Sequence, residues 1–220
     1  MSLSVTLLGA TGLVGREALR LLLGHPAVAR VVTVGRRAVP AQAVDDAPRG
    51  RLVERIVDMD RLADQADAFA TDAVICALGT TIRQAGSRQA FRRVDYEMPI
   101  EAARVALAQG APHYLLVSAL GANADSRLFY NRVKGEVERD VLALPFRATT
   151  ILRPSLLLGS RAEVRLGEEV GKALGWLVPG KYRPVRARDV ARVLVQRALD
   201  PDPGARIIES AAIRRLARRG

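Results

Sequence analysis

The segment LLGATGLVGREALRLLL, residues 7–23, places three glycines between an apolar, strand-like run and a Leu-rich helical run. Gly9, Gly12 and Gly15 are spaced three apart. In such a context the first glycine permits a tight turn, the second lets the backbone approach a pyrophosphate, and the third allows close packing of helix on strand. Free N–H groups and the dipole at the helix start favour phosphate. The segment predicts a dinucleotide-binding turn; the alternative is a plain strand-to-helix turn.

Apolar runs and helical patterns alternate along most of the chain. The predicted strands cover residues 3–8, 28–34, 52–57, 73–78, 114–117, 148–152 and 205–209. The predicted helices cover residues 13–23, 87–109, 128–142 and 188–199, with Pro99 expected to kink the second of them. Strands that alternate with helices indicate a parallel sheet covered on both faces. The sequence therefore predicts the α/β class, with a Rossmann-like doubly wound parallel sheet.

The alternation loosens after Pro154, where the segment GKALGWLVPGKYRPV carries several glycines and prolines. We interpret this segment as part of a mobile substrate-side annex. At 220 residues the chain suits one domain. The expected organisation is a single NAD(P)-binding domain over 1–220, with a dinucleotide-binding core at 1–153 and a small C-terminal substrate-side annex, including the last helices, at 154–220.

Composition argues against several functional classes. One cysteine, Cys76, cannot form a disulfide framework or a cysteine zinc site, and two isolated histidines do not indicate a metal site. No apolar run is long enough to span a bilayer, and the opening residues MSLSVTLLGA carry no charged leader. Neither membrane insertion nor secretion is expected, and a cytoplasmic location is predicted.

The formal net charge of +11 raises the question of a nucleic-acid partner. The basic residues are 31 Arg and 3 Lys, scattered along the chain apart from the tail IRRLARRG, and aromatic residues make up only 4%. So few aromatic residues provide no stacking platform for single strands. Nucleic acid is therefore not the expected ligand.

The end of the second predicted strand bears on the choice of dinucleotide. An acidic side chain about 20 residues after the glycine motif binds the ribose 2′-hydroxyl of NAD. Here the strand ends in VTVGRR, without an acid, and Arg36 and Arg37 stand at its end. Guanidinium groups pair well with phosphate dianions. The sequence predicts NADP(H) as the cofactor; the alternative is two solvated arginines.

The segment FYNRVKGEVE places Tyr130 and Lys134 four residues apart on one predicted helix. Residues at this spacing share a helix face, so both side chains can reach one site. A phenol with a pKa near 10 is a poor acid–base catalyst at neutral pH, and a fixed ammonium nearby lowers that pKa. The pair predicts proton transfer by Tyr130; the alternative is an aromatic residue and a solvated lysine on a surface helix.

Other candidates follow the ends of predicted strands, where such sheets form their ligand crevice. Ser118 in YLLVSALGAN could orient a substrate carbonyl or simply cap a turn. Cys76 lies inside the apolar run AVICAL and is predicted to be an inert core residue, not a nucleophile. The predicted cofactor contacts are Gly9, Thr11, Gly12, Leu13, Val14, Gly15, Arg36, Arg37, Asp58, Leu78, Gly79, Thr80, Tyr130, Lys134 and Pro154.

The segments GATGLVG, VGRR, CALGTT, VDYEMPIEAA, SALGAN, FYNRVKGEVE and RPSLLLG occur in one order over about residues 5–199. Together they resemble the atypical short-chain dehydrogenases of the Tat-interacting-protein-like oxidoreductase group. The resemblance implies a Rossmann fold, bound NADP(H), and Ser118, Tyr130 and Lys134 as the catalytic residues. This chain departs from many extended members by offering Asp95, in RVDYE, where they have Asn.

The sequence thus favours an NADP(H)-dependent oxidoreductase acting on a small carbonyl or alcohol. The alternative is a non-catalytic NADP(H)-binding redox sensor that acts through a protein partner. The predicted partners are a small-molecule substrate, which the sequence does not name, and a second copy of the chain in a homodimer. Members of the group often lack a defined substrate, so the resemblance bears more on fold and cofactor than on the reaction.

Overall fold

The computed structural model describes residues 2–40, 50–158 and 183–218. Its main sheet has seven parallel strands, which are β1 (Leu3–Leu8), β2 (Val28–Gly35), β3 (Leu52–Ile56), β4 (Ala73–Cys76), β5 (His113–Val117), β6 (Ala148–Arg153) and β9 (Gly204–Glu209). Their order in the sheet is β3-β2-β1-β4-β5-β6-β9. A short second ladder joins β7 (Leu157–Leu158) to β8 (Val185–Arg186). The predicted Rossmann-like doubly wound parallel sheet is confirmed.

Helices cover both faces of the sheet. They are α1 (Leu13–Gly24), α2 (Ile82–Ala85), α3 (Arg88–Arg92), α4 (Met98–Ala108), α5 (Phe129–Leu142), α6 (Ala187–Leu199) and α7 (Ser210–Leu216), with a 3-10 helix at Leu62–Phe69. One apolar core lies between the sheet and the pair α1 and α6, and a second lies between the opposite face, α4, α5 and the 3-10 helix. Because both faces are buried, the central strands are almost continuous apolar runs.

The expected helix at 87–109 is interrupted by a π-helical turn, Arg93–Glu97, between α3 and α4. Pro99 lies at the start of α4 and has no N–H to donate to the carbonyl of Asp95, four residues earlier. The N–H of Met98 instead donates to the carbonyl of Arg93, five residues earlier. The interruption expected from Pro99 is therefore a widened turn, and Asp95 is buried within it.

The last part of the chain contributes to the core as well as to the predicted annex. Strand β9 pairs with β6, and α6 packs on α1. Residues 159–182, which hold most of the segment interpreted as a mobile annex, lie outside the described residues. Within the described ranges, no helix has the length and apolar character needed to cross a bilayer.

Buried His113, at the start of β5, predicts a loss of stability in acid. Its Nε2 lies 3.0 Å from Thr150 Oγ1, and Nδ1 has no hydrogen-bond partner among the described residues. Burial, aided by Arg197 and opposed by Asp202, lowers the pKa of His113 from 6.5 to about 4. The folded state therefore favours the neutral ring. The stabilisation is complete above pH 6.5 and is lost as the pH falls from 6.5 towards 4.

We expect protonation of His113 to lower the free energy of unfolding by about 3 kcal/mol between pH 7 and pH 4. Denaturant unfolding at several pH values in this range measures the loss. His113→Gln keeps an amide near Thr150 but cannot titrate, so its stability should fall by correspondingly less. Parallel stability–pH curves for the two proteins would show that His113 does not contribute.

Candidate functional site

The glycine turn follows β1 at the point where the strand order reverses between β1 and β4. In open α/β sheets ligands bind in the crevice outside the carboxyl ends of the strands at this point. Gly9 has φ +82°, and a Cβ there would lie 2.5 Å from the carbonyl oxygen of Ala77. A Cβ on Gly15 would lie 2.0 Å from the carbonyl oxygen of Gly9. Gly9 and Gly15 are therefore required by the fold itself.

Gly12 is the N-cap of α1, and it presents a different environment. Its N–H donates to the carbonyl oxygen of Gly9 at 2.9 Å, and an added Cβ would lie 3.3 Å from that oxygen. A methyl group there needs only a small local shift. No side chain caps the helix, so the N–H groups of Leu13, Val14 and Gly15 donate no hydrogen bond to a capping side chain. This start of a twelve-residue helix fits the phosphates of a dinucleotide.

Gly12→Ala is expected to weaken dinucleotide binding at least tenfold while the protein still folds, since the methyl would occupy the surface that the phosphates approach. Gly24→Ala, at the other end of the same helix, is the matched control, because a Cβ there meets nothing within 4 Å. Calorimetric titration of both folded variants measures the difference. Wild-type affinity in Gly12→Ala would mean that the glycine serves only the turn.

Two adjoining pockets extend from the glycine turn, with volumes of about 470 and 90 Å³. Arg36 lines both of them, and Arg37 lines the smaller one. Asp58 lines the larger pocket, where its Oδ1 accepts a hydrogen bond from the N–H of Asp60 at 3.0 Å. Apolar walls come from Met59, Leu78, Val94 and Met98. A cleft with apolar walls, a phosphate-binding turn and cations at its end suits an adenine dinucleotide.

Many of the predicted cofactor contacts share this cleft. Those that line it are Gly9, Thr11, Gly12, Arg36, Arg37, Asp58, Leu78, Gly79 and Thr80. The predicted contacts that do not line these two pockets are Leu13, Val14, Gly15, Tyr130, Lys134 and Pro154, and the predicted catalytic residue Ser118 does not line them either. The structure connects Lys134 to the cleft through Asp95, whose Oδ2 accepts the N–H of Thr80 at 2.9 Å.

Lys134 is buried on α5, and its Nζ lies 2.7 Å from Asp95 Oδ1. A Cβ on Gly79 would lie 3.6 Å from that oxygen and 4.0 Å from Nζ. Burial opposes the lysine charge most strongly, but the carboxylate of Asp95 and the phenol of Tyr130 together raise the pKa of Lys134. Lys134 is thus a fixed cation beside the loop that follows β4.

Tyr130 is half-buried one turn before Lys134, with its ring centroid 5.4 Å from that of buried Phe91 on α3. Its pKa lies above 10, because burial raises it and Asp95 adds to the effect, while Lys134 opposes them. The hydroxyl is therefore protonated at neutral pH. In this form Tyr130 can donate a proton to an oxygen placed beside it.

Ser118 follows β5, where its N–H donates to the carbonyl oxygen of Leu152 at 2.8 Å. Its Oγ is buried and has no hydrogen-bond partner within the described part of the chain. A buried hydroxyl without a partner calls for an explanation, and a ligand oxygen would supply one. Pro154 lies nearby, since its carbonyl oxygen accepts the N–H of Leu120 at 2.8 Å.

The loop that carries Ser118 is held against the helix that carries Tyr130. A Cβ on Gly135 of α5 would lie 2.0 Å from the backbone nitrogen of Ala124. The N–H of Asn123 also donates to the carbonyl oxygen of Asn131 at 3.0 Å. Sequence reasoning did not select Gly135 or assign a role to Asp95, although it noted Asp95 as a departure from related sequences.

Cys76 ends β4 as a fully buried free thiol, and burial raises its pKa. A thiol in this state is a poor nucleophile, in line with its predicted role in the core. Across residues 2–40, 50–158 and 183–218, no group of three or more His, Cys, Asp or Glu side chains could hold a metal ion.

Comparison with known proteins identifies the family. A family model described as NAD(P)H-binding matches residues 9–201. The chain belongs to this NAD(P)H-binding family. Among curated relatives, "Protein HTATIP2" of Rattus norvegicus is 33% identical over 220 residues, covering 98% of this chain and 89% of the relative. "Protein FMP52, mitochondrial" of Candida albicans is 35% identical over 202 residues, covering 88% and 86%. These matches confirm the resemblance to the atypical short-chain dehydrogenases.

Solved structures share the fold of this NAD(P)H-binding family member. "MoeE5 in complex with UDP-glucose and NAD" matches with a TM-score of 0.70 and 18% identity, covering 93% of this chain and 75% of that one. The short-chain dehydrogenase/reductase YIR035C of Saccharomyces cerevisiae matches with a TM-score of 0.68 and 10% identity, covering 94% and 96%. At these identities the likeness concerns the fold.

The predicted cytoplasmic location is wrong by the evidence of the relatives. The FMP52 proteins of Candida albicans, Emericella nidulans and Aspergillus clavatus are all named mitochondrial. The expectation rested on the lack of a charged secretory leader. That feature bears on secretion and does not distinguish one internal compartment from another.

Proposed function

We propose that this protein is an NADP(H)-dependent oxidoreductase that transfers a hydride between the cofactor and a small carbonyl or alcohol. The observation that carries the proposal is the Tyr130–Lys134 pair on α5. Its cation is buried beside Gly79 and Thr80, which line the dinucleotide cleft. Membership of the NAD(P)H-binding family and the likeness to short-chain dehydrogenases support an NAD(P)-dependent oxidoreductase, without distinguishing NADP(H) from NAD(H).

The proposed roles follow from the chemistry of each group. The buried Oγ of Ser118 would hold the substrate oxygen, since it lacks another partner within the described residues. Tyr130 would exchange a proton with that oxygen. The Lys134 ammonium has three donors and forms an ion pair with Asp95, and we propose that it also donates to ribose hydroxyls. When bound, the nicotinamide would supply or accept the hydride.

The choice of NADP(H) over NAD(H) rests on Arg36 and Arg37. Both arginines line the cleft, and the end of β2 carries no carboxylate that would bind a free 2′-hydroxyl. A 2′-phosphate at this end would receive charge-assisted hydrogen bonds from either guanidinium.

The purified chain should bind NADPH and oxidise it in the presence of one or more members of a panel of small aldehydes, ketones and quinones. Loss of NADPH absorbance measures turnover. Tight NADPH binding without turnover across the whole panel would contradict the enzymatic proposal. The next measurement would then ask whether a protein partner distinguishes the NADPH form from the NADP⁺ form.

A further inference from the structure

The cation of the Tyr130–Lys134 pair is neutralised by a carboxylate inside the protein. Nζ of Lys134 lies 2.7 Å from Oδ1 of Asp95, and the two side chains are 6% and 0% exposed. The second oxygen of Asp95 accepts the N–H of Thr80. Oδ1 is therefore held by its ion pair with Lys134 and Oδ2 by a hydrogen bond, so that the aspartate links the π-helical turn to the loop after β4.

This pairing changes what Lys134 can do to Tyr130. An isolated ammonium would stabilise a tyrosinate strongly, whereas an ammonium that shares its charge with a carboxylate does so much less. The titratable groups that act on this cation are Asp95 from the π-helical turn, Tyr130 from α5 and Cys76 from β4. Of these, only Asp95 contacts Nζ as an ion pair.

We propose that Asp95 is a positioning residue that neutralises Lys134, so that Tyr130 stays protonated and able to donate its proton up to a higher pH than it would beside an unpaired lysine. This inference rests on the proposed function and extends it by assigning what sets the pH range in which Tyr130 can donate its proton. It also gives a role to the aspartate that replaces asparagine in many extended relatives.

The reaction balances with the groups at hand. The carbonyl carbon gains a hydride from the reduced cofactor, and the π electron pair of the C=O bond moves to oxygen. That oxygen takes the proton of the Tyr130 hydroxyl and becomes an alcohol. The O–H bond of Tyr130 breaks in the same step, and the tyrosinate regains a proton from water.

Asp95 cannot alter the overall equilibrium, but it selects the pH range in which each direction is fast. Reduction needs the phenol, which is the resting form at neutral pH. Oxidation needs the tyrosinate, which forms only in base. The rate constant kcat/KM for reduction should therefore be flat through neutral pH, while that for oxidation should rise about tenfold per pH unit.

Tyrosinate absorbance tests the inference without a substrate. The chain has four tyrosines, Tyr96, Tyr114, Tyr130 and Tyr182, and subtraction of the Tyr130→Phe titration isolates the signal of Tyr130. In the wild-type chain this signal should appear only above pH 10. In Asp95→Asn it should appear at a pH lower by one unit or more, which gives about tenfold more tyrosinate at a given pH.

Asp140→Asn is the matched control on α5, because Asp140 accepts the hydroxyl of Tyr96 at 2.6 Å and does not contact Lys134. It should leave the Tyr130 signal in place. An Asp95→Asn signal that coincides with that of the wild type would overturn the inference. So would tyrosinate of Tyr130 below pH 8 in the unaltered chain.

Removing one partner of a buried pair can prevent folding. Circular dichroism therefore accompanies each titration, and the double variant Asp95→Asn/Lys134→Met removes both charges together. Tyr130 in this variant should titrate at the wild-type pH or above, because no cation remains beside it. Titration at a lower pH would contradict the assigned role of Asp95.

The kinetic test measures the pH dependence of kcat/KM with any carbonyl that the chain reduces and with the corresponding alcohol. In Asp95→Asn, kcat/KM for reduction should begin to fall, and kcat/KM for alcohol oxidation should reach its plateau, at a pH lower by one unit or more than in the wild type. Equal pH profiles in the two proteins would contradict the role of Asp95 alone. Activity that survives in Tyr130→Phe would instead contradict the proposed function, so the two failures are distinguishable.

Discussion

Tyr130→Phe should lower the turnover of any carbonyl that the chain reduces by about 10²–10⁴, with NADPH affinity unchanged. The substitution removes the proton donor and keeps the ring that packs on Phe91. Without the proton, the oxygen that receives the electron pair must develop a full negative charge in the site. The loss should therefore appear in kcat rather than in the dissociation constant of NADPH.

Tyr96→Phe is the control for loss of a phenolic hydroxyl, since Tyr96 bonds Asp140 and lines neither pocket. It should retain turnover close to that of the wild type. Turnover that is equal in Tyr130→Phe and the wild type would remove Tyr130 from the mechanism. Lys134→Ala is a less clean probe, because it leaves the buried carboxylate of Asp95 without its cation and destabilises the fold.

The sheet could be predicted from sequence because its strands carry local signals. The central strands of the main sheet are apolar runs bounded by turn residues, and the predicted limits of all seven strands lie within two residues of the observed ones. The glycine motif fixed the location of the cleft, because only the strand-to-helix turn between β1 and α1 satisfies its spacing. Local patterns therefore located both the fold and the dinucleotide end of the site.

The short helices were not predicted. The 3-10 helix at Leu62–Phe69, the four-residue α2 and the seven-residue α7 are too short to be stable by themselves. Leu62 and Phe69 form a helical segment because they are buried against the sheet, and Ile213 holds α7 in the same way. Tertiary packing, which no local pattern records, stabilises these segments.

The role of Asp95 was also beyond sequence reasoning. Its partner Lys134 is distant in sequence, and its orientation depends on the π-helical turn that Pro99 favours. A proline in a helical pattern predicts an interruption, but a kink and a widened turn aim the preceding side chains differently. Only the three-dimensional structure shows that this aspartate lies against the proposed catalytic lysine.

Replacing both Arg36 and Arg37 by alanine should weaken NADPH binding at least 100-fold and change NADH binding by less than threefold. A hydrogen bond to a charged group contributes about 1.5–3 kcal/mol, so two lost contacts to a 2′-phosphate account for this factor. NADH lacks that phosphate and gains nothing from the guanidinium groups. Titration of both dinucleotides into each protein, at one fixed salt concentration, measures the preference.

The chain provides a control with the same change of net charge. Arg30→Ala/Arg147→Ala also removes two exposed guanidinium groups, but Arg30 lies early in β2 and Arg147 immediately precedes β6. Both therefore lie towards the amino ends of the strands, away from the cleft, and NADPH should bind this variant within threefold of the wild type. An equal loss in the two double variants would mean that overall charge attracts the dinucleotide. Equal affinity of the wild-type chain for NADPH and NADH would mean that the arginines do not contact a 2′-phosphate.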